Sequence, residues 1–466
     1  MRIKASFHSK TIIFACALSL LFWALYPVMP QAFALSIEDE RKMGQEFLAK
    51  IRGQFVFVDD PFTNQFFNDL GNYLIKSIKT KHFPFHFYII KSDTLNAFAA
   101  PGGHIFFYSG LIDKMDTLDM LAGVMAHEIG HTSGRHLAQR IEQSKKIGLA
   151  TIAGILAGVL IGGEAAGALV TGSMAAGMQA QLHYSRNDER QADQLGFKYS
   201  TSAGFDPSGL IKALNKIEQE RLGETNVPPY LLTHPTGPER MARLDAMVSN
   251  FVPGPPKKEV VRLRALFPSF KTVLKAICLD PHYAEKIFNA ELKKTPNAFL
   301  PNFGLGIVYM RKSEFPVAIQ YFKDALKSEP EFSLALRYLG EAYQMNGQNK
   351  EAISLLEKAL ELDRADKSTL FLLGLSYENM EQYEKAIRIF KRLASFKPVK
   401  NEVYYHLGIS YGRLNRLALA HYNLGIYSKR LGEIQKAKFH FQKADELSQN
   451  NPALRRKIHE AMETKS

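Results

Sequence analysis

In the second half of the chain one glycine recurs every 34 residues, at Gly306, Gly340, Gly374 and Gly408, and each follows a leucine. Tyr309, Tyr343, Tyr377 and Tyr411 sit three positions later, and Ala318, Ala352, Ala386 and Ala420 keep the same step. Phe322 and Phe390, with Pro330 and Pro398, complete two of the units. A period of this length is a pair of helices in which glycine permits close approach and the aromatics fill the space between. Such a pair cannot bury its apolar face alone. The units must stack into a superhelix whose concave face suits peptides or partner proteins. Upstream, Ala284, Phe288 and Pro296 fit the second half of an earlier, degenerate unit. Downstream, Leu424-Gly425 arrives half a period early, and Ala437, Phe441 and Ala444 follow in register with it. One helix then serves two pairings, and the array closes near Leu447.

The first half carries chemistry. Leu118, Leu121, Ala122, Met125, Ile129 and Leu137 keep a helical apolar stripe through His127-Glu128-Ile129-Gly130-His131, with Asp116 or Thr117 available as N-cap. Residues i and i+4 share a helix face, so His127 and His131 can grip one metal ion, and Glu128 stands beside them as a base toward water. A chance match on an amphipathic helix is the competing reading; the unbroken stripe argues against it. Past the helix, Ser185-Arg186-Asn187-Asp188-Glu189-Arg190-Gln191-Ala192-Asp193 is acidic, and Glu189 and Asp193 lie four apart. Alone, these carboxylates read as a solvated face paired with Arg186 and Arg190. Downstream of H-E-x-x-H they read as a third ligand, Glu189, and a partner for a ligand imidazole, Asp193. Two histidines and a glutamate favour Zn2+, one per chain, with a fourth position open.

Ser36 to Ile51 and Pro61 to Ile78 read as helices, the second with Asp60 as N-cap. Phe85 to Lys91 and Ile105 to Tyr108 read as strands, with Pro101-Gly102-Gly103 turning between extended segments. The expected fold is therefore α+β, mainly helical, with a small sheet, followed by an α-solenoid. Arg2, Lys4 and Lys10 precede an apolar run from Thr11 to Met29, and Ala32-Phe33-Ala34 offers a cleavage site, so 1–34 reads as a signal peptide. An uncleaved anchor is the alternative, and a lipoprotein site at Cys16 fits less well. Loss of those three cations lowers the net charge from +13 to +10 and leaves Cys278 as the one cysteine. A basic chain without a nucleic-acid module points to peripheral membrane association or acidic partners, or merely to a solvated surface.

Residues 147–163 lack charge and invite a membrane span, yet His131 and Glu189 must reach one ion, so the chain returns to the side it left. The 147–180 segment reads as a lid or plug, with a membrane-dipping hairpin as the second reading. Val252-Pro253-Gly254-Pro255-Pro256-Lys257-Lys258 is a stiff linker. The expected units are 1–34, a metallopeptidase domain at 35–252, a linker at 253–258, a repeat domain at 259–450 and a tail at 451–466.

Asn96-Ala97-Phe98-Ala99-Ala100-Pro101-Gly102-Gly103, His127 to His131, Glu189-x-x-x-Asp193 and Thr233-His234-Pro235 with Arg240 together resemble the Ste-type/HtpX-type gluzincin peptidases. The repeats resemble tetratricopeptide repeats. The resemblance implies a zinc endopeptidase whose substrate lies as an added strand along Asn96, Ala97, Phe98 and Ala99. It further implies that His234 either donates to the oxyanion or occupies the open zinc position, and that Arg240 orients this shell. Signal peptide, peptidase and repeats together are similar to envelope proteases acting on misassembled outer-membrane β-barrel proteins in the periplasm, the repeats meeting substrate or assembly machinery. A latent protease serving as a chaperone or scaffold is the alternative.

Overall fold

A computed structural model describes residues 35–143, 184–223, 227–255 and 257–464; the leader expected at 1–34 and the stretch at 147–180 lie outside them. Ser36 caps α1 (Ile37–Gln54), accepting from Asp39 N, and Met43, Phe47 and Ile51 turn inward. Asp60 caps α2 (Pro61–Leu74) with Pro61 at the first turn, and its Oδ1 accepts from Thr63 N at 2.7 Å. Three strands follow, β1 (His86–Ile90), β2 (Ala97–Ala100) and β3 (His104–Tyr108). They form one sheet of order β1-β3-β2, with β3 parallel to β1 and antiparallel to β2, and Phe98 opposite Phe106. The reversal from β2 to β3 needs left-handed backbone, which Gly102 (φ 73°) and Gly103 (φ 88°) supply.

After the short α3 (Ser109–Lys114) comes α4 (Leu118–Ser133), with Thr117 as its cap. Apart from Asp119, α4 is buried on every side from Leu118 through Thr132, whereas its stripe suggested one apolar face. The reason is its position. It packs against β2 on one side and is flanked by α6 (Arg186–Ala203) and α7 (Ser208–Gly223). α5 (His136–Gln143), the single-turn α8 (Pro229–Thr233) and α9 (Pro238–Ser249) complete this unit.

The helix after the Pro-rich segment, α10 (Lys258–Cys278), belongs to both halves of the chain. Val260, Leu263, Phe267 and Phe270 enter the core of the first unit, where Phe270 stacks on Phe66 at 4.3 Å. Val273 and Ala276, one turn on, enter the core of the repeats. The same junction carries a hydrogen bond of 2.6 Å from Tyr338 Oη to Asp60 Oδ2, so the capping carboxylate of α2 also receives a repeat residue.

The repeats are α11 (Pro281–Lys294), α12 (Phe299–Arg311) with α13 (Phe315–Ser328), α14 (Ser333–Met345) with α15 (Asn349–Leu362), α16 (Lys367–Asn379) with α17 (Tyr383–Ala394), α18 (Asn401–Arg413) with α19 (Leu417–Arg430), and α20 (Ile434–Glu446). Each recurring glycine faces the large apolar residue of the second helix. A Cβ on Gly374 would stand 2.5 Å from the Phe390 ring, and one on Gly425 2.7 Å from Phe441. We expect Gly374→Ala to lower stability by about 1–3 kcal/mol through this overpacking, read as a lower thermal midpoint of the full chain; an unchanged midpoint would contradict the close approach. Residues set apart as a tail include a further helix, α21 (Pro452–Glu463). Its Leu454 and Ile458 cover Ala437, Phe441 and Ala444, closing the apolar end of the array. Among the described residues no helix is long and apolar enough to cross a membrane.

Candidate active site

The motif helix is brought to its partner by two missing side chains. A Cβ on Gly130 would lie 2.7 Å from Ala192 O, and one on Gly196 would lie 3.0 Å from His127 N. Glycine at both places lets α4 and α6 approach backbone to backbone, which sets Glu189 and Asp193 against the two histidines. Ser185 and Asp188 form the capping box of α6, so Asp188 is used locally. Glu189 and Asp193 turn inward and are buried, while Arg186 and Arg190 stay at the surface. The cation of these carboxylates is Arg240 from α9. Its Nη1 lies 2.6 Å from Glu189 Oε2, and its Nη2 and Nε reach Asp193 at 2.8 and 3.0 Å. The contact to Glu189 is an ion pair without an aligned hydrogen bond.

His234 ends α8, its backbone N–H bonded to Tyr230 O at 2.8 Å, and its ring is fully buried. Four donors now converge. His127 Nε2 is 3.0 Å from His131 Nε2 and 3.3 Å from His234 Nδ1. Glu189 Oε1 is 3.3 Å from His131 Nε2 and 3.0 Å from His234 Nδ1, and Oε2 is 3.5 Å from His127 Nε2. All four residues are buried, and their donor atoms lie within 4.8 Å of one another. A tetrahedral ion with bonds of about 2.0–2.1 Å separates its donors by about 3.3–3.4 Å. The donor set therefore fits a zinc-sized ion in both spacing and chemistry.

Charge in this pocket is strongly biased. Burial acts to raise the Glu189 carboxyl, yet His234, Arg240 and His131 hold it well below the usual range. Asp193 is lowered in the same way by His127 and Arg240 against the effect of burial. Burial alone would lower His127, but Asp193 and Glu189 raise it; Asp193 Oδ1 is 3.0 Å from His127 Nδ1. At His131 burial wins and drives the ring well below its ordinary value. Glu128 is fully buried, and neither of its carboxylate oxygens has a hydrogen bond among the described residues. Its Oε1 is 3.5 Å from His234 Nε2. A buried carboxylate with nothing to accept from is costly, and at a reactive site that cost marks a group awaiting water or substrate.

Of the expected substrate edge, Ala97, Phe98 and Ala99 lie in β2, which among the described residues pairs only with β3. Asn96 precedes it, accepting Tyr108 N at 3.0 Å through its backbone oxygen. All four residues are buried, with α4 packed on the strand. Tyr230 N bonds Leu95 O at 3.2 Å, which ties the His234 turn to the start of this edge. Four neighbours were not singled out from the sequence. Tyr184 packs at a tilt of 34° against His131, 3.9 Å between centroids, and Tyr230 stacks on His234 at 4.6 Å. Burial pushes both phenols well above their ordinary range. His136 and Gln191 lie behind His131. The available signal was the helix stop at Gly134, which places the next residues back under the helix end.

Residues 61–248 match the model of peptidase family M48, and residues 303–367, 368–395 and 418–451 match tetratricopeptide repeats. The chain is 34% identical over 211 residues to the beta-barrel assembly-enhancing protease of Escherichia coli (strain K12), covering 45% of this chain and 43% of that protein. It is 29% identical over 289 residues to the putative beta-barrel assembly-enhancing protease of Vibrio cholerae, covering 61% and 59%. It is 30% identical over 155 residues to the mitochondrial metalloendopeptidase OMA1 of Arabidopsis thaliana, covering 33% and 29%. These alignments thus span at most about three-fifths of the relatives' length. The match at 61–248 is thus to a peptidase family, and the helical pairs that follow match tetratricopeptide repeats.

Proposed function

We propose that this chain is a zinc-dependent endopeptidase of the bacterial cell envelope that hydrolyses misfolded or misassembled outer-membrane β-barrel proteins. The observation that carries the reading is a buried set of three histidines and a glutamate, their donor atoms within 4.8 Å of one another, beside the orphaned Glu128 carboxylate. His127, His131 and Glu189 would hold the ion, and their donor types favour zinc. A zinc ion there supplies Lewis acidity toward the scissile carbonyl and lowers the pKa of the attacking water. Glu128 takes that water's proton and returns it to the leaving amide nitrogen. Asp193 holds the outer proton of His127 and so orients its ring. Arg240 balances the two buried carboxylates. Substrate backbone would extend the sheet along Asn96 to Ala99. Names of the relatives support the β-barrel substrate class, and the basic, Ala-x-Ala-ended leader at 1–34 supports the periplasm. The repeats would recruit substrate or the assembly machinery on their concave face; no role in binding nucleic acid is assigned.

We read His234 as a fourth ligand that closes the site, because its Nδ1 sits among the donor atoms. This favours a protease that is latent until His234 swings out, and it keeps the scaffold function as the second reading. His234→Ala should then raise cleavage of an unfolded β-barrel protein by about tenfold, a population change of about 1.4 kcal/mol. A fall of about 10²–10³-fold would instead make it an oxyanion donor.

A further inference from the structure

We infer that His136 is a positioning residue that fixes the tautomer and ring orientation of His131; this rests on the metal-site reading above. A histidine that binds through Nε2 must carry its proton on Nδ1, and that proton needs an acceptor. Behind His127 the acceptor is the Asp193 carboxylate. Behind His131 no carboxylate meets its Nδ1 among the described residues. His131 Nδ1 faces the fully buried His136 at 3.0 Å from its Nδ1. One nitrogen of that pair must donate and the other accept. An ion on His131 Nε2 would make His131 the donor, and the far side of His136 agrees with this, because its Nε2 faces Gln191 Oε1 at 2.6 Å. His136 therefore donates from Nε2 to Gln191 and accepts at Nδ1 from His131, which leaves His131 Nε2 free for the ion.

The chain is bent to make this contact. α4 stops at Gly134, where a Cβ would stand 2.3 Å from His136 Nε2. Arg135 then takes a left-handed conformation, φ 52°, unusual for a residue with a side chain. It is held there by Glu40 at 2.9 Å and Leu35 O at 2.7 Å. Gln191 lies between Glu189 and Asp193 on α6, so one helix supplies a ligand and ends both outer contacts. The two ligand histidines thus have unlike supports, a carboxylate for His127 and a neutral ring for His131.

The test is zinc affinity of the full chain by competition with a chromophoric chelator, with the visible spectrum of the Co2+-loaded protein as a second readout. His136→Leu removes the acceptor and should weaken zinc binding by about 10–100-fold and shift the Co2+ bands. His136→Asn keeps an oxygen close to the Nδ1 position and should recover most of the loss. Gln191→Leu, at an exposed residue, should weaken binding less, and Gln191→Glu should strengthen it. Asn binding as poorly as Leu, or all four variants binding like wild type, would overturn the inference. A wild-type chain that takes up no ion would overturn the metal site itself, an outcome read before any variant is compared.

Discussion

Glu128→Gln is expected to leave the bound ion in place and to lower peptide cleavage by about 10²–10⁴-fold, the usual contribution of a positioned general base. Glutamine matches the shape of the side chain, so α4 and its packing stay intact, but an amide cannot take the proton. The geometry makes the expectation sharp. Among the described residues neither Glu128 oxygen has a hydrogen bond, so the contact weakened when the charge goes is the 3.5 Å approach of Oε1 to His234 Nε2. Removing a buried, unsatisfied carboxylate should even leave the fold as stable or more so. The check is single-turnover cleavage of an unfolded β-barrel protein by both forms, with metal content measured in each. Equal cleavage would remove Glu128 from the chemistry.

Arg240→Ala should carry the largest cost in stability, about 3–5 kcal/mol, because it strands two buried carboxylates. Arg240 contacts Glu189 and Asp193 at 2.6 and 2.8 Å, and all three side chains are about 95% buried or more. The size of the loss should depend on metal. With an ion on Glu189 part of the negative charge remains matched, so the variant should lose less in zinc than in chelator. Denaturant unfolding under the two conditions measures this difference. A loss within about 0.5 kcal/mol in both, as for an ordinary surface substitution, would contradict the electrostatic account.

Much of this molecule was readable because its strongest signals are periodic. The glycine that returns every 34 residues meets its aromatic or leucine partner on the second helix of each pair, as the spacing required. His127, Glu128 and His131 were readable because a helix fixes i and i+4 on one face. Glu189 and Asp193 could be named from their own spacing only with the motif upstream, since the choice between burial and solvation is tertiary. Other features leave no local pattern. That α4 is buried all round depends on α6, α7 and β2 covering faces the stripe left open. That α10 serves two cores depends on Phe66 meeting Phe270 across some two hundred residues of chain. Tyr184, Tyr230 and His136 reach the site from loop ends and helix starts, where sequence periodicity is silent. His234 could be placed near the site by resemblance, but only the fold brings its Nδ1 to 3.0 Å from Glu189.

The most direct measurement is metal content against cleavage, made on the full chain and on His234→Ala so that a closed resting site does not hide activity. The account predicts one zinc per chain in both, cleavage of an unfolded β-barrel protein that is stronger in the variant, loss of that cleavage on chelation, and its return with zinc. Cleavage that persists in metal-free protein, or a chain that binds no divalent ion with His127, His131 and Glu189 intact, would contradict it.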